Sequence, residues 1–228
     1  AAYRTAFGRR LIEQPLMLNV LADLCVESEA ATLLALRAAR AFDPGAEPEF
    51  QRLATAVAKF WVCKRATPVA AEALECLGGN GFVEEFPLAR MLRDSPLNSI
   101  WEGSGNVIAL DVLRAMTREP ATVDAVLDEV ELAGGMDERL DSATATIRDL
   151  LPGLASDPSG AEFMARGVAE RLALALQASL ILRHSPPEVA DAFLAGRVSP
   201  AGGRTFGTLP PGTDCMAIIE RHRPRLSG

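Results

Sequence analysis

Apolar residues recur at three- and four-residue steps over long stretches of this chain, and this spacing decides its fold class. In the first stretch these positions are Leu11, Leu18, Leu21, Leu24, Cys25, Leu33, Leu36 and Ala39. They predict one long helix from about Arg9 to Phe42, ended by Asp43-Pro44-Gly45. A second long helix should run from about Pro48 to Leu77, with a kink at Pro68. Long helices that alternate apolar and polar faces predict an all-α helical bundle.

Shorter helices are predicted in the rest of the chain. Gly78-Gly79-Asn80-Gly81 should end the second helix, a short helical turn should follow at about 88–93, and a third long helix should run from about Ser99 to Met116. The pattern then changes, so we place a subdomain boundary near residue 118, between a bundle at 1–117 and a smaller helical extension at 118–228. The extension should hold helices at about 123–132, 137–151 and 160–183, a short helix opening at 186–188, a Gly/Pro-rich loop at 196–212 and a last helix.

Composition excludes several classes of protein. The 228 residues are 49% hydrophobic with a net charge of −7, an ordinary globular mixture that disfavours disorder and a broadly basic nucleic-acid binder. No apolar run approaches the roughly 20 residues of a membrane span, and the first residues do not form a signal peptide. The four cysteines lack zinc-site spacing, which favours reduced thiols in a cytoplasmic protein without a metal site. With only two histidines, the chemistry should rest on carboxylates or on a bound cofactor.

One candidate site is the segment from Asn98 to Asn106, in which Glu102 lies among apolar and small residues at a predicted helix start. Burial raises the pKa of a carboxyl group and a helix N-terminus lowers it, so a glutamate here could act as a tuned base. The alternative is a solvated acid in the first helical turn that interacts favourably with the helix dipole. The residues alone leave both interpretations open.

Two further segments are candidates for binding. The glycines of Leu77-Gly78-Gly79-Asn80-Gly81-Phe82 would let the backbone approach a phosphate, although an ordinary helix end explains them equally well. The loop does not follow a predicted strand, so the Rossmann fingerprint does not apply. Arg4-Thr5-Ala6-Phe7-Gly8 places an arginine and an aromatic residue near the first residue of the chain.

Together these segments resemble the C-terminal helical domain of the acyl-CoA dehydrogenase family, across residues 1 to about 117. The resemblance includes Ala58-Lys59 and the pattern Pro87-x-x-Arg90-x-x-Arg93-Asp94. Within the family, the sequence resembles the AidB-like branch in more detail. That branch is tied to DNA alkylation and carries an extra helical region. The matching segments there are Leu11-Ile12-Glu13-Gln14-Pro15-Leu16-Met17, Val62-Cys63-Lys64-Arg65, Asn98 to Asn106 and Leu110-Asp111-Val112-Leu113-Arg114.

The resemblance implies a four-helix-bundle-like domain of an enzyme that oxidises acyl-CoA thioesters with FAD. It implies that Glu102 is the base that removes the α proton. The implied FAD contacts are Arg4, Phe7, Gly78, Gly79, Ser104 and Asn106. In the family, the contacts at Arg4 and Phe7 reach a neighbouring subunit's cofactor and those at the glycines reach its ADP part, so a homodimer or homotetramer is expected.

Some features depart from the family pattern. Trp101 replaces the common Tyr, and Glu75 stands where many members have a cofactor-binding Gln, as the AidB-like branch would allow. The family's N-terminal helical and middle β domains do not fit into this chain, which also begins without Met. We therefore expect the C-terminal portion of a longer enzyme, inactive alone.

Two alternative functions remain open. The first is a DNA-associated alkylation-response protein with weak dehydrogenase activity. From Arg118 onward, however, 11 Arg and no Lys face 16 acidic residues, a net charge of −5 that disfavours DNA binding. Arg221, His222, Arg223 and Arg225 form either a solvated tail or a DNA contact. The second alternative is a module that serves mainly for oligomerisation.

Overall fold

A computed structural model of the protein describes residues 1–45 and 47–224, and helices dominate this part of the chain. The first five helices are α1 (Pro15–Arg40), α2 (Pro48–Leu77), α3 (Gly79–Phe82), α4 (Pro87–Asp94) and α5 (Gly105–Arg118). The next five are α6 (Ala121–Glu131), α7 (Glu138–Ser156), α8 (Pro158–His184), α9 (Pro187–Phe193) and α10 (Cys215–His222). A π-helical turn, Leu194–Val198, follows α9 directly. The all-α class is confirmed.

A small hairpin precedes the first helix. Strand β1 (Thr5–Ala6) pairs antiparallel with strand β2 (Arg9–Arg10), and a 3-10 turn at Leu11–Glu13 leads to α1. The apolar spacing predicts helix from about Arg9, and this start is too early. Pro15 occupies the first position of α1, where the absence of an N–H group costs no hydrogen bond.

The predicted bounds of α2 are confirmed, and the helix continues through Pro68. Two other predicted bounds were wrong. The third long helix begins at Gly105 instead of Ser99, because Glu102 and Gly103 have positive φ angles of 57° and 125° that no α-helix contains. Helix α7 runs through Pro152 to Ser156, beyond the predicted end near residue 151.

Helices from both halves of the sequence share one hydrophobic core. Among the described helices, α8 contributes the largest number of buried residues, and it packs against α1, α2, α5 and α7. Helix α6 packs against α2. The indole Nε1 of Trp61 in α2 donates a hydrogen bond of 2.9 Å to Oε1 of the buried Gln177 in α8. The segment after residue 118 therefore completes the packing of the helices before it. The division into a bundle and an extension stays a prediction about the sequence.

Two carboxylates on α1 are buried inside this core. Asp23 and Glu27 are 0% and 3% exposed, and a spacing of four residues puts them on one face of the helix. Arg197 of the π-helical turn contacts both, with Nη2 2.5 Å from Asp23 Oδ1 and Nε 2.9 Å from Glu27 Oε2. Arg65 of α2 adds a bidentate contact to Glu27 at 2.8 and 2.9 Å. This network ties α1 to α2 and to the C-terminal segment.

A second buried carboxylate has a similar environment. Glu129 of α6 accepts hydrogen bonds from Arg37 of α1 at 2.7 Å and from Arg183 of α8 at 2.5 Å. The ring of Phe50 lies 3.8 Å from the Arg37 guanidinium carbon. Because every buried charge needs a partner, the two clusters fix how α1 sits against the later helices.

Replacing Arg197 tests the first cluster. We expect Arg197→Met to lower the free energy of unfolding by about 3–5 kcal/mol, since it leaves buried carboxylates without their partner. Arg148→Met is the control, because the half-exposed Arg148 pairs with Glu131 on the surface and should change stability by less than about 1 kcal/mol. Urea unfolding of both variants measures the difference. Equal losses would contradict the assigned role of Arg197.

The pH dependence of stability gives a second test. Burial alone would raise the pKa of the Glu27 carboxyl group, but the hydrogen bonds and charges of Arg65 and Arg197 outweigh it and lower that pKa below the ordinary value of 4.5. A carboxyl group with a lowered pKa in the folded state stabilises the protein above about pH 4.5, and this contribution is lost as the pH falls further. We expect urea-unfolding stability to decline from pH 6 to pH 3, and to decline less steeply in Glu27→Gln. Parallel profiles would count against the pairing.

Candidate functional site

Two of the predicted cofactor-binding segments meet at the end of α2. Nη1 of Arg4 donates a hydrogen bond of 2.6 Å to the carbonyl oxygen of Leu77, the last residue of that helix. Terminal carbonyl groups of a helix lack partners within the helix, and the guanidinium satisfies this one. The structure therefore brings Arg4 against Gly78, the next residue, although the two are far apart in sequence.

Gly78 is required at its position by its backbone. Its φ and ψ angles of 60° and −140° are unfavourable for residues with a side chain, and a Cβ there would lie 2.9 Å from Nη1 of Arg4. Gly79 differs, because it begins α3 and a Cβ added to it would meet no atom within 4 Å. At Gly81 a Cβ would overlap the carbonyl oxygen of Leu74. The fold therefore requires glycine at positions 78 and 81 of the loop, whereas position 79 has space for a side chain.

Phe7 projects from the tip of the hairpin. It has a positive φ of 53° in the turn between β1 and β2, and its side chain is 96% exposed. Tyr3, just before the hairpin, is also strongly exposed. A large aromatic side chain presented in this way is suited to contact with another surface.

The segment that precedes α5 presents three polar side chains to solvent. Glu102, Ser104 and Asn106 are all exposed, and none of the three side chains donates or accepts a hydrogen bond within residues 1–45 and 47–224. Ser104 is the N-cap residue of α5, yet its hydroxyl makes no cap bond. The predicted Glu102 segment is thus a turn before the helix rather than its first turn.

Helix α2 holds this turn in place from behind. The Lys59 ammonium donates to the carbonyl oxygen of Asn98, and Oγ of Ser99 donates to the carbonyl oxygen of Cys63 at 2.9 Å. A Cβ on Gly103 would lie 2.7 Å from Cδ1 of Ile108, so the turn is closely packed on α5 as well. The backbone that carries Glu102 is therefore fixed by contacts on both sides.

Two cations lie beside the first residue of α5. A Cβ on Gly105 would be 3.0 Å from Nζ of Lys64 and 3.8 Å from Nη2 of Arg166. Lys64 comes from α2 and Arg166 from α8, and both add positive charge to the positive end of the α5 dipole. No sequence pattern pointed to Arg166, which belongs to the later half of the chain. This end of α5 favours an anionic partner.

Many large apolar side chains are exposed between residues 82 and 110, the stretch that follows the glycine loop and contains the Glu102 turn. Trp101 is 56% exposed, and it lies in a region where many other large apolar side chains face solvent. These are Phe82, Val83, Phe86, Met91, Leu97, Ile100, Val107 and Leu110. Clusters of exposed apolar side chains typically mark contact surfaces for another protein segment or a ligand.

The basic residues near the last helix have partners within the fold. Arg221 lies 2.9 Å from Oε1 of Glu29, and Nε2 of His222 lies 2.8 Å from Oε2 of the same carboxylate. Arg223 pairs with Glu220 at 2.9 Å. Arg225, the fourth member of the sequence cluster, is outside the described residues. The three described members thus bind carboxylates of the protein.

Potential metal ligands are dispersed in the described part of the chain. Within residues 1–45 and 47–224, no group of three or more His, Cys, Asp or Glu side chains is arranged to hold a metal ion. The four cysteines are free thiols, and burial raises the pKa of Cys25 to about 11. Among the helices of these same residues, none combines the length and apolar character needed to cross a bilayer.

The helical fold and the glycine and Glu102 segments define a class of protein. The family model described as "Acyl-CoA dehydrogenase, C-terminal domain" matches residues 1–117, and the chain belongs to the acyl-CoA dehydrogenase family. Among curated relatives, it is 37% identical over 206 residues to the putative acyl-CoA dehydrogenase AidB of Escherichia coli, covering 89% of this chain and 37% of that protein. The resemblance to the AidB-like branch is thereby confirmed.

A sequence and a crystal structure from Caenorhabditis elegans extend the comparison. Acyl-CoA dehydrogenase family member 11 is 31% identical over 204 residues, which cover 80% of this chain and 33% of that protein. The crystal structure of ACDH-11 in complex with C11-CoA superimposes with a TM-score of 0.76 at 27% identity, over 91% of this chain and 40% of that one. The chain thus spans about a third of the length of the curated relatives it matches.

Adjacent glycines provide a test of the loop geometry. We expect Gly78→Ala to lower the free energy of unfolding by about 1–3 kcal/mol, because alanine is strained at this φ and its Cβ meets Arg4. Gly79→Ala is the matched control and should be neutral or slightly stabilising, since its Cβ meets nothing. Thermal and urea unfolding of both variants measure the effect. A harmless Gly78→Ala would show that the loop is not constrained in this way.

Proposed function

We propose that this chain is the C-terminal portion of an FAD-dependent flavoprotein that dehydrogenates acyl-CoA thioesters between the α and β carbons. The observation that carries the proposal is Glu102, an exposed carboxylate on a rigid turn, followed by the polar Ser104 and Asn106 at the positive end of α5. A relative of the same fold has been crystallised with C11-CoA, which supports an acyl-CoA as the substrate class.

The residues present fit FAD. Arg4 uses one N–H group on Leu77, so the rest of its guanidinium is available beside Gly78 for a pyrophosphate. Gly78 and Gly79 leave the backbone bare for the ADP part, and Phe7 offers an exposed ring to a cofactor held by a neighbouring subunit. The hydroxyl of Ser104 and the amide of Asn106 are free to bind the flavin end. When bound, FAD supplies the acceptor for the hydride from the β carbon.

In this proposal Glu102 removes a proton from the carbon next to the thioester carbonyl. Lys64 and Arg166 lie beside Gly105 at the positive end of α5, where they could bind an anionic part of the substrate or cofactor. The contacts of Lys59 and Ser99 anchor the backbone just before the turn, and the Glu102 side chain extends from it into solvent. Trp101, next to the base, would limit access of the acyl chain.

We further propose that the chain alone does not turn over substrate. Glu102 is exposed, whereas an efficient base of this kind works in a site from which water is excluded. The apolar surface around Trp101 would be covered by the remaining part of the enzyme and by a second subunit in a homodimer or homotetramer. Residues 1–117 and 118–228 would then act as one scaffold in that assembly.

A DNA-associated function is less well supported. Arg221 and Arg223 pair with Glu29 and Glu220, so the charges of these two arginines are compensated within the fold. A role in oligomerisation alone leaves the rigid Glu102 turn without a purpose. We therefore favour the dehydrogenase.

The test uses the polypeptide that includes the N-terminal and β domains. Glu102→Gln retains shape but removes the base, so we expect flavin reduction by a short acyl-CoA to slow by at least about 100-fold while FAD remains bound. Glu85→Gln is the matched control, because Glu85 is another exposed glutamate without an ion pair in the described structure. Stopped-flow bleaching of the flavin measures the rates. Similar rates in the two variants, or a full-length protein that cannot be loaded with FAD, would contradict the proposal.

A further inference from the structure

A polar cleft lies between α2, α8 and the loop that follows the π-helical turn. Its volume is about 410 Å³, and we call it the loop pocket. The wall on the loop side is formed by Ser199, Pro200, Gly202, Gly203, Arg204 and Thr205. Trp61 and Arg65 line it from α2, and Glu170 and Leu174 line it from α8. None of these residues belongs to the Glu102 site.

Hydrogen-bond donors of this loop have no partner in the described part of the protein. The backbone N–H groups of residues 203–206 donate no hydrogen bond to any described residue, whereas those of Gly202 and Gly207 do. The guanidinium of Arg204 likewise makes no ion pair or hydrogen bond with the described residues. Such amides beside an arginine without an ion pair can donate hydrogen bonds to a phosphate group.

The loop is held in this shape before any ligand binds. A Cβ on Gly202 would lie 2.5 Å from the carbonyl oxygen of Gly196, and one on Gly203 would overlap the side chain of Thr208. Beyond the free amides, the N–H group of Gly207 donates to Asp23 at 2.9 Å, and that of Leu209 donates to Asn19 at 3.0 Å. A binding loop fixed at both ends loses little conformational entropy when a ligand binds.

The charges of the loop pocket favour a small molecule with both a phosphate and a hydrogen-bond donor. Arg65 and Arg197 are compensated by the buried Glu27 and Asp23, which lie behind the pocket. The groups left facing the ligand are Arg204 and, on the opposite wall, the carboxylate of Glu170, which also makes no ion pair in the described structure. Arg204 would attract a simple anion and Glu170 would repel it. A ligand that carries a hydroxyl or amine beside its phosphate can bind Arg204 with the phosphate and donate a hydrogen bond to Glu170.

We propose that the loop pocket binds a phosphate monoester of a small polyhydroxylated molecule. The phosphate would lie on Arg204 and the amides of residues 203–205, and a hydroxyl would donate to Glu170. A second cleft of about 500 Å³ shares Glu170, Arg197 and Arg204 and continues towards Ile147. It provides space for the remainder of such a ligand. The site is independent of the proposed dehydrogenase function.

Calorimetric titration with inorganic phosphate and with ribose 5-phosphate, in chloride buffer of constant ionic strength, tests this proposal. We expect ribose 5-phosphate to bind at least about 10-fold more tightly than phosphate, since only the ester offers hydroxyls to Glu170. Arg204→Gln should weaken both ligands by at least about 10-fold. Glu170→Gln should weaken the ester alone. Arg118→Gln is the control, because Arg118 is exposed, lies outside the loop pocket and has no ion pair in the described structure.

Clear outcomes overturn the proposal. The absence of binding heat from either compound up to about 10 mM would exclude the site, because this concentration exceeds the dissociation constants of most weak complexes. Equal binding by the Arg204→Gln and unmodified proteins would exclude the assigned contact. Salt-sensitive binding of a DNA duplex that is lost in Arg204→Gln would replace the small molecule by nucleic acid. Because Arg204 and Glu170 are exposed, unchanged melting temperatures should show that the variants fold.

Discussion

The carboxylates of Asp23 and Glu27 are sealed inside the protein, and their need for compensating charge governs how its two halves meet. A buried ion without a partner costs several kcal/mol, so α1 is stable in its position only when Arg65 and Arg197 are in theirs. The stable packing of α1 therefore depends on the segment after residue 194, which supplies Arg197. The same holds for Glu129, whose partners Arg37 and Arg183 come from helices far apart in the sequence.

This arrangement also positions both candidate sites. Helix α2 carries Arg65 on one side, and its Lys59 and Cys63 backbone hold the Glu102 turn. The same Asp23 that binds Arg197 accepts the N–H of Gly207, and this bond anchors the loop that lines the loop pocket. Helix α2 thus contributes to both proposed sites, although the two share no residues.

The local sequence pattern was sufficient to predict the helices. It was insufficient to predict the hairpin and the turn that connect them. Apolar spacing and glycine punctuation predicted α2 to the residue, because both signals act over a few positions. The hairpin at residues 5–10 was missed, since strands of two residues have no measurable alternation. The start of α5 was missed because Glu102 adopts a positive φ, a conformation that is not predicted for a glutamate. The resemblance supplied Arg4 and Gly78, but only the structure shows that they touch.

The separation of the buried charges along the chain has a consequence for biosynthesis. Arg197 follows Asp23 by 174 residues, and a ribosome adding 5–20 residues per second needs roughly 9–35 s to cover that interval. During this time the nascent first helix displays carboxylates whose last partner does not yet exist. Until then Arg65 can compensate Glu27, and Asp23 is without its arginine. The contacts that compensate Asp23 can form only after Arg197 has left the ribosome.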